Sequence, residues 1–446
     1  MRFVFVLCLL SFILPVAAAP TGLKPATTAA NPLQLLSNLQ HGYFYDLTAS
    51  QRSSVMSRPS SVSGYSGITT DTFCNGTPLT LSWSGTSGTC TVTVKRLDGS
   101  VFWTGTTSTT SIDVVNLELG AGYTWTVTDS SKASASATFY TKLEPPRLIK
   151  SGTMKMMRDL GGWRGLNGCI VRQNRIFRGG PADNGTPDEA ARDFFNNEIG
   201  LKNEIDLRGS SEWTSTSTRG YMFDPTGKNV TFNHLEISFY TLYTKSQTMS
   251  DTKGKNFLKV FQLLFDRTKL PAYFHCKVGR DRTGSVAGLV LAVLGVSEDD
   301  IIRDYQGSCY VGENIYSSFT SYLGKIKAYK DSKLSIAENA KAYFMDLGFT
   351  DAQIEAFRTD MLIGYGVPEY WTEEPHFVVA TRTKLKAGKV TEEQYAGFEA
   401  KKGFWYTWGK DGVEPTGWTQ ADGTPLMLAK PAGAGWKLMV KKGDGK

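Results

Sequence analysis

The run His275-Cys276-Lys277-Val278-Gly279-Arg280-Asp281-Arg282-Thr283-Gly284 sets a thiol and a guanidinium at the two ends of a short segment that carries two glycines, Gly279 and Gly284. Five residues separate Cys276 from Arg282, so one tight loop can bring sulfur and guanidinium onto the same small anion. A thiolate is a nucleophile, and a planar guanidinium grips two oxygens of a phosphoryl group at once. That pairing predicts in-line attack of Cys276 on phosphorus. Arg282 is then both the clamp and the partner of the charge that spreads over the equatorial oxygens in the transition state. Thr283 places a hydroxyl close enough in sequence to assist departure of the thiolate when a phospho-cysteine is hydrolysed. Lys277, Val278, Gly279, Arg280, Arg282, Thr283 and Gly284 form the expected phosphate cradle.

These residues must be held by what flanks them. Leu270-Pro271-Ala272-Tyr273-Phe274 reads as a short buried strand, and Ser285 to Val296 is apolar on nearly every side, as a buried helix would be. A loop from a strand to a helix N-terminus points successive backbone N–H groups at one centre, and the helix dipole adds positive potential. The same field, with Arg282 beside it, is expected to lower the Cys276 pKa. Three plainer readings compete. A strand-end cysteine is often a small buried hydrophobe and an Arg-Asp-Arg run a solvated surface, but neither explains both glycines and Arg-Thr-Gly at this spacing. A nucleotide-binding loop would carry Gly-Lys-Ser/Thr, which is absent here. A sulfur-transfer loop of the rhodanese kind has one residue fewer between Cys and Arg.

His-Cys-x-x-Gly-x-x-Arg-Thr-Gly resembles the signature of the protein tyrosine phosphatase superfamily. Asp281 just before Arg282 is similar to the secreted bacterial tyrosine phosphatases with a Lys-Asp-Arg-Thr ending, although Arg280 stands where that Lys is usual. Arg158-Asp159-Leu160-Gly161-Gly162-Trp163, Ile176-Phe177-Arg178-Gly179-Gly180 and Ile205-Asp206-Leu207-Arg208 fit the same subgroup, in the same order. The resemblance runs from about Ile149 to Gly366, roughly half of the chain. It implies a phosphoric monoester hydrolase with no cofactor, with Cys276 and Arg282 catalytic and with Arg158, Asp159, Asp206, Arg208 and His275 in support.

A phosphatase must protonate its leaving group and then activate water, and one carboxylic acid usually does both. Many members of the superfamily carry that Asp on a Trp-Pro-Asp loop, a tripeptide this chain lacks. Asp281 is the first candidate, because the resembling enzymes and the myotubularin-type lipid phosphatases hold an Asp inside the loop. Asp206 is the second and Asp251, twenty-five positions before Cys276, the third. The bland alternative for Asp281 is a salt bridge that orients Arg280 or a neighbouring cation. Lys277 and Arg280 add two cations to Arg282, as in lipid phosphatases of the phosphatase-and-tensin-homologue type. The expected substrates are therefore broad: a phosphorylated protein, above all phosphotyrosine, and phosphoinositides. An inositol-polyphosphate phosphatase and a surface protein that binds phosphate without turnover are the alternatives.

Of 446 residues 49 are basic and 42 acidic, a net charge of +7 that favours anionic substrates without being a nucleic-acid footprint. Arg2, the apolar stretch Phe3 to Leu14 and Val16-Ala17-Ala18-Ala19 read as a signal peptide, so the expected localisation is secreted or periplasmic. No later apolar run reaches the roughly 20 residues that span a bilayer. Export makes disulfides thinkable. Cys74 with Cys90 is the easier pair and Cys169 with Cys309 the looser one, leaving Cys276 free as nucleophile. No metal is expected, since His41, His234, His275 and His376 show no ligand spacing.

The expected fold class is α/β: a cysteine-phosphatase domain with a central mixed sheet flanked by helices, preceded by a small all-β sandwich and followed by a small C-terminal appendage. Residues 1–19 are the signal peptide and 20–72 a Ser/Thr/Pro-rich linker, in which Leu33, Leu36 and Leu39 suit a short docking helix. Residues 73–143 alternate apolar and polar side chains in short runs divided by Gly and Asp turns, and resemble a fibronectin type III or immunoglobulin-like module with Trp83 and Tyr123-Thr124-Trp125 in its core. Residues 147–366 are the catalytic domain. Its strands are expected at Leu201 to Leu207 and Val230 to Ile237, and its helices at Asp188 to Asn197, around Phe257, Phe261, Leu264 and Phe265, and at Ser297 to Tyr305, Ile315 to Lys330, Ile336 to Asp346 and Asp351 to Leu362. Residues 368–446 are rich in Trp. They read either as an aromatic surface for glycan or cell-surface contact or as a β-rich appendage whose tryptophans are its own core.

Overall fold

In the computed structural model, six short strands build the sheet that carries the cysteine: Arg147–Leu148 (β1), Arg158–Asp159 (β2), Ile176–Gly179 (β3), Asn203–Asp206 (β4), Thr231–His234 (β5) and Ala272–His275 (β6). Their order is β5-β4-β6-β3-β2-β1. The four strands β5, β4, β6 and β3 run parallel, while β2 and β1 close the edge antiparallel. β3, β4 and β6 are buried at every residue, as parallel strands covered on both faces must be. Register then sets the site. Gly179 and Asp206 both stand level with His275, and His234 stands level with Asp206, so the parallel strands end together immediately before Cys276. Carboxyl ends of parallel strands are where such sheets hold ligands.

The residues described are 19–48, 51–52, 73, 75–86, 88–150, 154, 156–181, 192–213, 229–308, 316–363, 365, 379–386, 389–398, 404–410, 419–420, 426–430 and 436–442.

Helices Thr252–Phe265 (α1), Asp281–Val293 (α2), Glu298–Gln306 (α3), Tyr316–Lys327 (α4), Ile336–Leu347 (α5) and Asp351–Met361 (α6) cover the sheet. Their ends follow local chemistry. Ser335 with Glu338 and Thr350 with Gln353 form capping boxes on α5 and α6, and Ser297 caps α3 ahead of three acidic residues that suit its positive end. α2 is buried from Thr283 to Val293 because it packs among α3, α4 and α5 behind the sheet. It begins at Asp281, four residues earlier than Ser285, so the second half of the loop motif is itself the first helical turn. Of the helix expected at Asp188 to Asn197, residues 188–191 lie outside the described residues, and Phe194–Ile199 is helical.

The chain divides into two compact units. One compact unit takes residues up to Ala26 with Thr80–Asp113 and Tyr123–Thr138, and the other takes Thr27–Leu79, Val114–Gly122 and everything from Phe139. Thr21–Lys24, placed in the linker by its composition, is a strand that pairs with Leu79–Ser84. With Ser111–Val114 these make a three-stranded sheet, and Val101–Thr107, Cys90–Arg96, Gly122–Thr128 and Ser134–Tyr140 make one of four. Trp83 and Trp125 are buried at a centroid distance of 6.2 Å, as core rather than ligand platform. Among the described residues Cys90, which is fully buried, and Cys169 form no disulfide; Cys74 and Cys309, the partners expected for them, lie outside the described residues.

Within the second unit the presumed linker is again structured. Ser37 caps a helical turn at Asn38–His41 that continues through Gly42–Asp46. Docking is done by Leu36, Tyr43 and Phe44, which share a core with Phe73, Leu148 and Met156, whereas Leu39 stays exposed. The terminal region forms two three-stranded sheets, from Val379–Lys386, Lys389–Phe398 and Leu426–Lys430 and from Phe404–Lys410, Thr419–Gln420 and Trp436–Lys442. Trp408 is buried there with Tyr406 and Met439, which favours tryptophan as core; Trp371 and Trp418 lie outside the described residues. Among the described residues no helix is long and apolar enough to cross a membrane.

Candidate active site

Cys276 leaves β6 with its side chain almost wholly buried, 2% exposed. Burial alone raises the pKa of a thiol, yet this one is held below its ordinary value, because the Arg282 charge, the Thr283 hydroxyl and the backbone amides of Thr283 and Val278 together outweigh desolvation. The expected thiolate is thus supplied by the loop itself. Gly279 lets the loop close. Its φ is +71°, and a Cβ there would stand 2.4 Å from the carbonyl carbon of Gly179, so no other residue fits without moving β3. Gly284 is needed for a different reason, since a Cβ would meet the Tyr305 ring at 2.9 Å.

Arg282 is oriented from outside the motif. Both terminal nitrogens of its guanidinium bond the carboxylate of Glu212, with Nη2 to Oε1 at 2.8 Å, and Nη1 reaches the Leu207 carbonyl at 3.4 Å. Among the described residues its buried Nε has no hydrogen-bond partner, and the Thr283 hydroxyl has the Cys276 sulfur and no nitrogen or oxygen atom. Buried donors are rarely left unpaired. An unsatisfied guanidinium donor beside a depressed thiol marks where a phosphoryl oxygen belongs.

The three candidate acids occupy three different settings. Asp281 sits in the first turn of α2, partly exposed. Its Oδ1 accepts from Arg280 Nε at 3.0 Å and from the Tyr240 hydroxyl at 2.7 Å, and the Tyr240 and Tyr305 hydroxyls are 2.7 Å apart. Asp206 is buried, which by itself would raise its pKa, but the His275 charge and three kinds of contact from Arg208 bring it down to about 2. It also accepts the Trp213 indole N–H at 3.0 Å. Its carboxylate is thus occupied as an acceptor for Arg208 and Trp213. Asp251 is spent as the N-cap of α1, accepting the Gly254 N–H at 3.0 Å. The geometry sets Asp281, alone of the three, in the helical turn that carries Arg282. It also turns the Arg280 side chain toward Asp281, so among the loop cations Lys277 is the one whose side chain is exposed.

Residues 151–363 match the sequence profile described as the tyrosine phosphatase family. The matched stretch contains the loop, the sheet and the helices just described. Over just under half of its length the chain is thus similar to the tyrosine phosphatase family. A Cupriavidus necator protein assigned by name to the tyrosine-protein phosphatases is 30% identical over 166 residues, covering 34% of this chain and 60% of that protein. A tyrosine-protein phosphatase of Nostoc commune is 28% identical over 145 residues, covering 29% and 47%. The chain thus spans about half the length of these curated relatives. Among solved structures, the core catalytic domain of the PP-IP phosphatase SIW14 from S. cerevisiae, in complex with citrate, aligns at 14% identity and a TM-score of 0.26, and PTPMT1 in complex with PI(5)P at 12% and 0.25; each alignment covers 39% of this chain and 94% of the other.

The supporting residues within the matched stretch fall into two groups. Arg158 donates to Asp304 through Nε at 2.8 Å and to Ser308 Oγ at 2.8 Å, and Arg178 donates to the other Asp304 oxygen at 2.6 Å and to the Gly279 carbonyl at 3.0 Å. Desolvation and the like charge of Arg158 bring Arg178 down to about 10, against the pull of Asp304. Asp159 instead shapes the loop after β2, accepting the N–H groups of Gly161 and Asn174 and pairing with Arg147 at 3.0 Å; burial raises its pKa despite that partner. His275 is buried between Glu204, at 3.2 Å, and Asp206, at 3.8 Å, and these carboxylates raise its pKa against desolvation. Glu212, Asp304, Ser308 and Tyr240 were not foreseen. Only Asp304 leaves a signal in the sequence: with Ile301 and Tyr305 it lies on the buried stripe of α3, where a charge requires a partner. Among the described residues no group of three His, Cys, Asp or Glu side chains is placed to hold a metal.

Proposed function

We propose that this protein is a cysteine-dependent phosphatase that hydrolyses phosphomonoesters through a phospho-cysteine. The observation that carries the reading is the depressed Cys276 thiol, hydrogen-bonded by the Thr283 hydroxyl, beside the buried Arg282 Nε that has no hydrogen-bond partner among the described residues. In the first step the Cys276 thiolate attacks phosphorus, the S–P bond forms, the ester P–O bond breaks, and Asp281 gives its proton to the departing oxygen. In the second step water attacks phosphorus, Asp281 takes its proton, and the S–P bond breaks to return the thiolate, which Arg282 and Thr283 stabilise. Glu212 keeps Arg282 in line throughout, so little reorganisation is needed as charge develops.

Phosphotyrosine is the first substrate in this reading, with phosphoserine, phosphothreonine and phosphoinositides also accepted. The family match and the names of the relatives support the former, and the exposed Lys277 beside the loop supports substrates with further phosphates. Action outside the cytoplasm belongs to the proposal as well and rests on the apolar stretch Phe3 to Leu14; N-terminal sequencing of protein recovered from the producing cell's exterior tests it. Phosphate release from a phosphotyrosine peptide, a phosphoinositide and inositol hexakisphosphate should rank the peptide first and vanish in Cys276→Ser. Preference for inositol hexakisphosphate would move the protein to the inositol-polyphosphate reading. Phosphate binding without release from any of the three would leave the binding-protein alternative.

A further inference from the structure

Tyr43, Phe44, Tyr45 and Arg52 lie outside the family match, yet they grip the helix that supports the phosphate loop. The Tyr43 hydroxyl donates to the Gln306 carbonyl at 3.0 Å and Gln306 Nε2 donates back to the Tyr43 carbonyl at 2.5 Å. Arg303 Nε donates to the Phe44 carbonyl at 3.0 Å, and its guanidinium lies 4.9 Å from the Tyr45 ring centroid. Arg52 pairs with Asp299 at 2.8 Å. At Gly307 a Cβ would find the Phe44 ring and the Arg158 guanidinium at 3.5 Å each, so Phe44 packs beside the very arginine that Asp304 holds. Tyr43, Phe44, Asp304 and Gln306 are all at most 1% exposed.

The route to the chemistry is short. Asp304, in the last turn of α3 between Arg303 and Gln306, divides its carboxylate between Arg158 and Arg178, and Arg178 holds the Gly279 carbonyl. In a trans peptide the carbonyl and the following N–H point to opposite sides. Fixing Gly279 O on Arg178 therefore fixes the direction of the Arg280 N–H, and with it the curvature of the loop that faces the sulfur. Packed interiors transmit such displacements because side chains have few alternative arrangements.

We propose that the segment from Leu36 to Asp46 is a positioning element of the catalytic site, which sets the phosphate-loop geometry through the end of α3 and Asp304. The inference rests on the phosphatase reading, but it can be tested without turnover. In the full chain, the rate of Cys276 alkylation by iodoacetamide as a function of pH reports the thiol pKa, and protection by inorganic phosphate reports the loop. Phe44→Ala should raise the apparent thiol pKa and weaken phosphate protection about tenfold, with p-nitrophenyl phosphate kcat/KM falling by about as much. Phe44→Leu should restore most of each. Tyr43→Phe, which keeps the ring and removes one hydrogen bond, should move the same readouts about threefold in a chain that still folds. A lower melting temperature in both variants with unchanged thiol pKa and phosphate protection would overturn the proposal. If the wild type releases no phosphate while the thiol pKa still shifts in the variants, the phosphatase reading fails and the positioning role stands.

Discussion

Two ionic clusters flank the phosphate loop, and they are built on opposite principles. Beneath it, Arg158, Arg178 and Asp304 are at most 1% exposed and satisfy one another across three elements. At its mouth, Glu212 holds Arg282 with about a quarter of the Glu212 side chain still exposed. A buried group of this kind is costly to assemble and costlier to break, because removing one partner strands the others without water. A partly solvated pair costs little to lose but fixes where its charge points. The lower cluster thus gives the loop its shape, and the upper one gives the shaped loop its function.

The contrast can be broken from either side, and Asp304→Asn should do the most damage. It leaves two buried guanidinium groups sharing a neutral amide, so a loss of about 3–5 kcal/mol in urea unfolding is expected together with loss of phosphate release. A stable, active Asp304→Asn protein would remove the foundation from the picture. Glu212→Gln should do the reverse. Unfolding stability should change by less than about 1 kcal/mol, while kcat for p-nitrophenyl phosphate falls about tenfold or more because Arg282 is no longer aligned.

A subtler test separates the two aspartates near the site. Tyr240→Phe removes the hydroxyl that fixes Asp281, so hydrolysis of phenyl phosphate, whose leaving group needs a proton, should slow about tenfold while p-nitrophenyl phosphate is barely affected. Equal slowing of both would make Tyr240 a packing residue only. Asp206 should show itself in acid stability alone. Its folded pKa, about 2, lies below the ordinary carboxylate value, so its contribution is complete above that value and is lost as pH falls through about 2. Asp206→Asn should therefore be less stable than the wild type by about 2 kcal/mol near neutrality, and urea unfolding should show the gap closing toward the acid end of that window.

The loop was legible in the sequence because its chemistry is local. Cys276, Gly279, Arg282 and Thr283 lie within eight residues, and the strand and helix on either side carry unbroken apolar runs. The helical back was legible for the same reason, since periodicity and capping residues such as Ser297, Ser335 and Thr350 are read within a few positions. What escaped were partners far apart in the chain. Glu212 meets Arg282 across 70 positions and Arg158 meets Asp304 across 146, and no periodicity encodes such pairings. Composition misled in the segment after Pro20, where Ser, Thr and Pro suggested a linker. Thr21–Lys24 finds its hydrogen bonds in a sheet, and Tyr43 and Phe44 find theirs on α3. The choice among Asp281, Asp206 and Asp251 was out of reach for a related reason: an aspartate's role follows from what surrounds it, and Arg208 beside Asp206 or Gly254 beside Asp251 becomes informative only once contacts are known.

The most direct measurement is to trap the covalent intermediate. The full chain is mixed rapidly with a phosphotyrosine peptide labelled at phosphorus, quenched in acid and digested, and the labelled fragment is sequenced. Label should reside on Cys276 in the wild type, accumulate further in Asp281→Asn if hydrolysis of the intermediate becomes slow, and be absent from Cys276→Ser. Phosphate release that persists in Cys276→Ser, or turnover with label on no cysteine, would contradict the mechanism.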